Sequence, residues 1–193
     1  MTDNPQKATP KDEVLAFFAG QKKTVLSFLG FSGAGYERPD QMLAEAEKIL
    51  DRFDPATTIV NIGATSDGIG AVYKLAKEKG FVTTGIVSTQ ALEAGVDVSP
   101  FVDRVFFIED ESWGGCLDDG ETLAPTSALM VEVSDTMIAI GGGTIARDEF
   151  SAAKRRGRKT AFIPADMNHE AAREKARRKG LPMPASFAGA VAE

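Results

Sequence analysis

Three short segments of the chain combine glycines with hydroxyl side chains, and each follows an apolar run. They cover residues 30–35 (GFSGAG), 63–70 (GATSDGIG) and 141–144 (GGGT). Glycine lacks a Cβ, so the backbone there can turn sharply and lie close to a ligand. The first amides of a following helix have no internal partners, and the helix dipole adds partial positive charge. These features predict that the three turns hold a phosphate or a sugar.

The third turn is the strongest candidate because it joins an apolar run directly to a helical segment. Thr144 can cap that helix and also offer a hydroxyl group to a ligand. A tight strand–helix turn with a capped helix and no ligand explains the same residues. The ligand-binding interpretation is favoured because the two earlier turns agree with it. The predicted ligand and phosphate contacts are Gly30, Ser32, Gly33, Gly63, Ser66, Asp67, Gly68, Gly141, Gly142, Gly143 and Thr144.

The first two turns depart from the best-known nucleotide motifs. Residues 30–35 have the spacing G-x-x-G-x-G, whereas the dinucleotide fingerprint is G-x-G-x-x-G, and this disfavours a nicotinamide oxidoreductase. Residues 63–70 lack the Gly-Lys-Ser/Thr ending of a Walker A loop, which disfavours ATP hydrolysis of that type. Ser66 and Asp67 are also well placed to cap the next helix, which is a purely structural explanation for them.

The turns need a scaffold of parallel strands. Apolar runs predict strands at residues 24–29, 58–62, 81–87, 105–108, 137–140 and 160–163, with helices between them. This order predicts an α/β fold: a doubly wound, mostly parallel Rossmann-like sheet with helices on both faces. We expect one domain over residues 1–193, with an N-terminal extension (residues 1–22) that contains a short helix and a tail (residues 181–193). The predicted core includes Val25, Phe28, Ile59, Val60, Ile86, Phe106, Ile138, Ile140 and Phe162.

Composition narrows the classes of function. The chain of 193 residues has a net charge of -6, which argues against general nucleic-acid binding. No apolar stretch reaches the ~20 residues of a membrane span. The N-terminus has no signal-peptide core, so we expect a cytoplasmic protein. With one cysteine, Cys116, and one histidine, His169, an intrachain disulfide is excluded and a structural zinc site or a catalytic triad is disfavoured.

Residues 109–121 form a loop that is rich in carboxylates and contains the only tryptophan, Trp113. An indole in a loop at the end of a strand can stack on a planar ring, which makes Trp113 a candidate for base stacking. It can equally be a loop anchor. Carboxylates this dense are usually solvated, and a divalent ion is the less favoured alternative. We therefore predict no metal site and no required cofactor.

The glycine segments at residues 63–70 and 141–144, at matching positions of the fold, resemble the SLOG superfamily. This is the Rossmann-like group of Lonely-Guy (lysine-decarboxylase-like) proteins, molybdenum-cofactor carrier proteins and DNA-processing protein A. The similarity covers roughly residues 24–165. It implies a nucleotide or nucleotide-like ligand at the carboxyl ends of the strands, and a homodimer or larger homo-oligomer. Phe17 and Phe18 are the predicted dimer interface because they expose apolar surface on the first helix.

The Lonely-Guy motif P-G-G-x-G-T-x-x-E is matched only in part. Residues 142–144 agree with it, but Arg147 has the spacing of the glutamate and Glu149 follows two residues later. The family also carries an arginine nine residues before the aspartate of a Ser-Asp pair. Counting back from Asp135 gives Thr126, so that arginine is absent.

Two functions remain open on these grounds. The first is a nucleotide-binding protein with a carrier, sensor or regulatory role, in which the glycine turns hold the phosphate. The second is a phosphoribohydrolase that releases the base from a nucleoside 5′-monophosphate. In that case Glu149 stabilises the oxocarbenium-like state or positions water, and Arg147 replaces the missing arginine. Both predict a small nucleotide-like molecule as the partner.

Overall fold

A computed structural model describes residues 7–193, and one six-stranded sheet organises them. The strands are β1 (Thr24–Gly30), β2 (Thr58–Ile62), β3 (Val82–Ser88), β4 (Arg104–Ile108), β5 (Thr136–Ile140) and β6 (Lys159–Ile163). Their order across the sheet is β4-β3-β2-β1-β5-β6. All five pairings are parallel, so the carboxyl ends of the strands lie along one edge.

Helices precede, connect and follow the strands. They are α1 (Lys11–Gln21), α2 (Pro39–Leu50), α3 (Val72–Glu78), α4 (Gln90–Glu93), α5 (Pro125–Val133), α6 (Thr144–Arg155) and α7 (His169–Lys179), with short 3₁₀ turns at Gly68–Ala71 and Ala190–Ala192. Over residues 7–193, the helices are too short or too polar to cross a membrane.

Both faces of the sheet are buried. In β1, Leu26 and Phe28 join one apolar cluster with residues of α2 and α3. Val25 and Leu29 join a second cluster with residues of α1, α5 and α6. Crossover connections place helices on both faces of a parallel sheet, which explains apolar runs without a polar face. The predicted doubly wound α/β fold is confirmed.

The predicted strands agree with the structure to within one residue at each end. The predicted core residues are buried except Phe162, which is only partly covered because β6 is an edge strand; its ring packs edge-on against Phe150. The predictions that Ser66 or Asp67 caps the helix after β2, and that Thr144 caps the helix after β5, were wrong. The Asp67 side chain makes no capping hydrogen bond, and Ser66 lies a residue further from the helix. Thr144 is the first residue of α6, behind Gly143 at the cap position.

Helix α1 of the N-terminal extension packs on the sheet of its own chain. Phe18 is buried, and the rings of Phe17 and Phe18 lie 5.2 and 5.8 Å from the ring of Phe106. The apolar surface that suggested an interface is thus used within the chain. The homodimer remains a prediction, without that surface to support it. Residues 1–6 of the extension lie outside the described residues.

A tyrosine hydroxyl joins the ends of β1 and β5. The Tyr36 hydroxyl donates to the carbonyl of Ile140 at 2.7 Å and accepts from the amide of Phe31 at 3.1 Å. Burial raises its pKa above the ordinary value, so the hydroxyl stays protonated. A Cβ on Gly30 would clash with this hydroxyl. Gly30 is therefore required by packing, whatever else it contacts.

The hydroxyl of the second tyrosine, Tyr73, joins the end of β2 to β3. The Tyr73 hydroxyl donates to the carbonyl of Thr84 at 2.8 Å and accepts from the amide of Ala64 at 3.2 Å. Tyr73 is completely buried, which raises its pKa above the ordinary value. Ala64 has a positive φ of 60°, which is unfavourable for a residue with a side chain. The Tyr73 hydroxyl helps to hold this loop in place.

The tail folds back over the sheet near the end of β5. The ring of Phe187 stacks on His169 with 4.0 Å between centroids. Further along, the amide of Val191 donates to the carbonyl of Gly142 at 3.3 Å, and the Val191 side chain packs against the apolar cluster that contains α6. The tail therefore covers the start of α6.

We expect Tyr36→Phe to lower the free energy of unfolding by about 1–3 kcal/mol, because it leaves the Phe31 amide and the Ile140 carbonyl without this partner. Urea denaturation monitored by circular dichroism measures the change. Tyr73→Phe is the parallel variant and should behave alike. Unchanged stability of both variants would contradict the role assigned to the two hydroxyls.

Candidate functional site

A cleft lies where the winding of the chain reverses. Helix α2 follows β1 onto one face of the sheet, whereas α6 follows β5 onto the other. Because β1 and β5 are neighbours, the loops that leave them diverge and open a crevice. Ligands of open α/β sheets bind at such a switch point, outside the carboxyl ends of the strands. The cleft here has a volume of about 440 Å³.

Eight of the residues predicted for the site line this cleft. They are Gly30, Ser32, Gly33, Gly63, Ser66, Asp67, Trp113 and Glu149. The first two glycine turns therefore meet at one site, as the parallel strands require. The other predicted residues, Gly68, Gly141, Gly142, Gly143, Thr144 and Arg147, are not part of the lining.

Gly68 serves to pack one loop against the other. Its φ is +58°, and a Cβ there would clash with the carbonyl oxygens of Phe31 and Ser32. The amide of Ile69 donates to the Phe31 carbonyl at 2.7 Å. Gly68 thus lets the loop after β2 approach the loop after β1, and this contact closes one side of the cleft.

The turn over residues 141–144 faces the tail. Gly141 and Gly142 have φ angles of +56° and +128°, which glycine adopts without strain. A Cβ on Gly142 would lie 2.7 Å from the Cβ of Ala146 and 3.0 Å from the side chain of Val191. Both glycines are accounted for by packing. Gly143 differs because a Cβ there would meet no atom within 4 Å.

Arg147 lies outside the cleft and pairs with its neighbour. Its Nε and a terminal nitrogen contact Asp148 Oδ1 at 3.0 and 2.8 Å. Asp148 Oδ2 accepts from the amide of Cys116 at 2.9 Å. This pair fastens the loop over residues 109–121 to α6. The structure therefore gives Arg147 an anchoring contact and does not bring it to the cleft.

Glu149 reaches the cleft from the second turn of α6 and is 5 % exposed. Its Oε1 accepts from the Ser127 hydroxyl at 2.6 Å, and the oxygen of that hydroxyl accepts from the amide of Gly115 at 2.7 Å. Burial raises the pKa of Glu149 from 4.5 to about 7, against the lowering effect of the Ser127 hydrogen bond; the charge of Asp148 raises it further. At neutral pH a large share of Glu149 is an uncharged carboxylic acid, which can donate a hydrogen bond.

Thr126 also lines the cleft, from the first turn of α5. Its amide donates to Asp110 Oδ2 at 2.9 Å. Its side chain is buried, and together with the amide it helps to lower the pKa of Asp110. Sequence reasoning noted Thr126 only as a missing arginine, and no local signal marks it as a lining residue.

Trp113 sits at the cleft with 49 % of its surface exposed. The loop that carries it is held on both sides. Asp110 accepts from the Ser112 amide and hydroxyl, both at 2.8 Å, and Ser127 accepts from Gly115. Burial alone would raise the pKa of Asp110, but the hydrogen bonds that it accepts from Thr126 and Ser112 outweigh burial and lower it. Trp113 is thus an exposed indole on an anchored loop.

Sequence reasoning missed the apolar part of the lining. Most of these residues are core positions of strands and helices whose inner ends open into the cleft, and periodicity alone cannot separate them from the rest of the core. Val96 and Val98 lie in the loop after α4, and Ile145 is an exposed residue of α6. The apolar residues of the lining are Phe28, Leu29, Ile62, Ala64, Ile69, Ile86, Val87, Ala91, Val96, Val98, Met130, Ile145 and Ala146. The walls of the cleft are therefore largely hydrophobic, as in most small-molecule sites.

The acidic loop over residues 109–121 does not gather its carboxylates. Asp110 is turned inward, whereas Asp119 accepts from the amides of Glu121 and Thr122 in its own turn. Across residues 7–193, no three side chains of His, Cys, Asp or Glu come together as a metal-binding group. The alternative of a divalent ion receives no support from this arrangement.

Comparison with known proteins gives matches to solved structures. The chain matches no family model and no curated protein. The molybdenum cofactor carrier protein of Chlamydomonas reinhardtii superposes with a TM-score of 0.51 at 21% identity, over 88% of this chain and 94% of the carrier. The molybdenum cofactor binding protein of Rippkaea orientalis gives 0.52 at 17% identity, over 85% and 90%. A structural-genomics target, TM1055, gives 0.51 at 18% identity, over 71% and 72%.

These likenesses establish the fold. The chain has the Rossmann-like fold of these solved structures. At such low identity the superpositions identify neither ligand nor reaction.

The buried carboxyl of Glu149 predicts a distinctive dependence of stability on pH. Because its pKa is higher in the folded state than in the unfolded chain, the folded protein retains a proton that the unfolded chain releases between about pH 4.5 and 7. The free energy of unfolding should therefore fall as pH rises through this window. Glu149 should account for a fall in the free energy of unfolding on the order of 3 kcal/mol across this window. We expect Glu149→Gln, which has no proton to release, to lack this fall.

Urea denaturation of both proteins at a series of pH values measures the difference. Glu78→Gln, at an exposed position of α3, is the matched control and should leave the pH profile of the parent unchanged. Parallel profiles for the parent and Glu149→Gln would show that Glu149 does not retain the proton.

The open position of Gly143 allows a direct test of the turn over residues 141–144. Its φ of -84° suits any residue, and an aspartate at this cap position can accept from the first amides of α6. We expect Gly143→Asp to stabilise the fold by a few tenths to ~1 kcal/mol and to leave ligand affinity unchanged. Thermal denaturation and calorimetric titration measure the two effects. A loss of affinity in this stable variant would identify the turn as a phosphate site.

Proposed function

We propose that the protein binds a nucleotide-like heteroaromatic small molecule in the cleft, in a carrier, sensor or regulatory role. The observation that carries this proposal is the cleft at the switch point, where two glycine loops, apolar walls and an exposed indole surround a buried Glu149. Hydrophobic walls with a few convergent polar groups are typical of small-molecule sites. The proposal requires no resident cofactor.

The solved structures also support this proposal. Two of the superposed proteins are described as carrying or binding the molybdenum cofactor. That ligand therefore belongs in any screen of this chain, together with pterins, nucleosides and nucleotides. The ligand contacts that we propose are the cleft residues of the two glycine loops, with Trp113 and Glu149.

A thermal-shift screen tests the proposal. A ligand at a hundredfold its dissociation constant should add ~2.7 kcal/mol of stability. Gly63→Leu is the blocked variant, because a Cβ at Gly63 meets only the Ile86 carbonyl, 4.0 Å away, and the longer side chain enters the cleft. It should lose the shift. Gly20→Leu, in open space on α1, is the matched control and should keep it. If no compound shifts the parent, the proposal fails.

Trp113 gives a second readout because it is the only tryptophan. Stacking of a base on an aromatic side chain contributes roughly 1–3 kcal/mol. We expect a ligand to change the tryptophan fluorescence, and Trp113→Leu to weaken binding by roughly five- to a hundredfold with the fold intact. Fluorescence titration of the parent and calorimetry of the variant measure these effects. Unchanged affinity in Trp113→Leu would show that the indole does not contact the ligand.

Hydrolysis of a nucleoside 5′-monophosphate is the second candidate, and the position of Glu149 in the cleft favours it. Against it, Thr126 stands where the resemblance places an arginine, and Arg147 is paired with Asp148 outside the cleft. Incubation with a panel of nucleoside monophosphates, with free base followed by chromatography, tests this reaction. Release of a base that disappears in Glu149→Gln would favour the hydrolase. No release from any member of the panel would remove it.

A further inference from the structure

One oxygen of the Glu149 carboxyl group has no partner in the protein. Among the described residues, Glu149 makes a single side-chain hydrogen bond, which Oε1 accepts from the Ser127 hydroxyl. Oε2 makes none, although the side chain is only 5 % exposed. Oε2 is not one of the polar atoms that the protein encloses completely, and Glu149 lines the cleft. Oε2 is therefore the oxygen that a ligand in the cleft meets.

Ser127 determines which oxygen of Glu149 carries a proton. The Ser127 hydroxyl oxygen accepts from the amide of Gly115 at 2.7 Å, and the hydroxyl donates to Glu149 Oε1 at 2.6 Å. Ser127 is completely buried, so water does not compete for its proton. Because Oε1 acts as an acceptor, the proton of the neutral carboxyl group lies on Oε2. In that form Oε2 donates one hydrogen bond toward the cleft.

The anionic groups around Glu149 favour its neutral form. Burial raises the pKa of Glu149, and the charge of Asp148, on the same helix, adds to this effect. The strands β1 and β5 have no titratable side chain. The titratable groups of the other surrounding segments are one cysteine and carboxylates: Cys116 and the acidic residues of the loop over residues 109–121, Glu132 on α5, Asp67 and Asp97 in the lining, and Glu193 on the tail.

The nearby cations do not offset this effect. Arg147 is paired with Asp148 outside the cleft, and Lys154 and Arg155 stand in the last turn of α6. Among the described residues, the lining of the cleft includes no lysine, arginine or histidine. A negative charge on Glu149 therefore has no cationic side chain to pair with in the cleft.

A bound ligand should favour the neutral carboxyl group further. A ring that fills the cleft displaces water from Oε2, and the loss of water penalises a carboxylate far more than a carboxylic acid. A hydrogen-bond acceptor on the ligand opposite Oε2 adds a bond that only the acid can make. Because such coupling is reciprocal, the proton should strengthen ligand binding as much as the ligand strengthens proton binding.

We propose that Glu149 determines the specificity of the cleft by binding the ligand as a carboxylic acid, with Oε2 donating to a ring nitrogen or carbonyl oxygen. Binding then takes up a proton from the solvent, and affinity falls as pH rises. This inference rests on the proposed function and specifies the ligand edge and the pH control of the same site.

Calorimetric titration at a series of pH values tests the inference. The probes are adenosine, guanosine, cytidine and uridine, none of which changes charge between pH 6.5 and 8.0. The pKa of Glu149 in the ligand-free protein is about 7, so above this pH a growing share of the protein must take up a proton in order to bind. We expect the affinity of the best probe to fall roughly eightfold from pH 6.5 to 8.0.

Proton uptake is measured directly with two buffers of different ionisation enthalpy, PIPES and Tris, at pH 7.5. The difference between the two binding enthalpies gives the number of protons exchanged. We expect uptake of somewhat less than one proton for each ligand bound. Proton release, or affinity that rises with pH, would show that the ligand donates to an ionised Glu149 and would overturn the inference.

Glu149→Gln places an amide donor where the acid has its proton. This variant has no proton to gain, so it should bind the same probe with equal affinity at pH 6.5 and 8.0 and with no proton uptake. Asp97→Asn is the matched control, because it removes an exposed carboxyl group from the same lining. It should keep the pH dependence of the parent. Loss of that dependence in Asp97→Asn but not in Glu149→Gln would assign the proton to the wrong residue.

Ser127→Ala tests the positioning role of the hydroxyl. Its hydrogen bond lowers the pKa of Glu149, so the variant should keep its affinity to a higher pH than the parent does. A purely structural role would weaken binding or stability at every pH without moving the pH at which affinity falls. An unmoved pH profile in folded Ser127→Ala would contradict the assignment.

The failures of the two proposals are distinguishable. A probe that binds the parent with the same affinity from pH 6.5 to 8.0 overturns the inference and leaves the proposed function standing. Binding of none of the four probes also overturns the inference. The proposed function then survives only if another compound, such as a pterin or the molybdenum cofactor, shifts the melting temperature in the wider screen.

Discussion

The carboxyl edge of the sheet depends on two buried tyrosine hydroxyls. Parallel strands end with loops that must leave the sheet, and at a switch point those loops diverge, which leaves backbone groups without ladder partners. Tyr36 satisfies such groups between β1 and β5, and Tyr73 does so between β2 and β3. Each hydroxyl both donates and accepts, so one side chain fixes two chain segments. Together they hold the loops that bound the cleft at a set separation.

The tyrosines also explain part of the glycine pattern. Gly30 has no side chain because the Tyr36 hydroxyl occupies the space where a Cβ would lie. Gly68 and Gly142 are similarly confined, the first by the loop after β1 and the second by Ala146 and the tail. In each case a close approach of backbone to protein, and not to a ligand, accounts for the glycine. Gly33 and Gly63, by contrast, line the cleft with open space at their missing Cβ positions, so they are the glycines that a ligand can approach.

This difference sets the limit of what could be predicted from the sequence. The strands and the fold class were predicted correctly because parallel, doubly covered strands leave a strong apolar signal, as in Thr58–Ile62, where every residue is buried. The meeting of the first two glycine loops followed from the parallel order. A glycine itself, however, reports only that a side chain is excluded, and the sequence cannot say by what. The tail over residues 181–193, with its small residues, gave no signal that it would fold back over Gly142.

The charge of the residues that line the cleft could not be predicted from the sequence either. The chain has basic residues close by in sequence, Arg147 in the first turn of α6 and a basic run at its end, yet none lines the cleft. Arg147 is engaged by Asp148, which in turn anchors the Trp113 loop through Cys116. The same helix places Glu149 in a dry environment one half-turn later. The side of α6 that faces the cleft thus carries the carboxyl group and not the guanidinium, and two residues of displacement along a helix are enough to change the charge that a ligand meets.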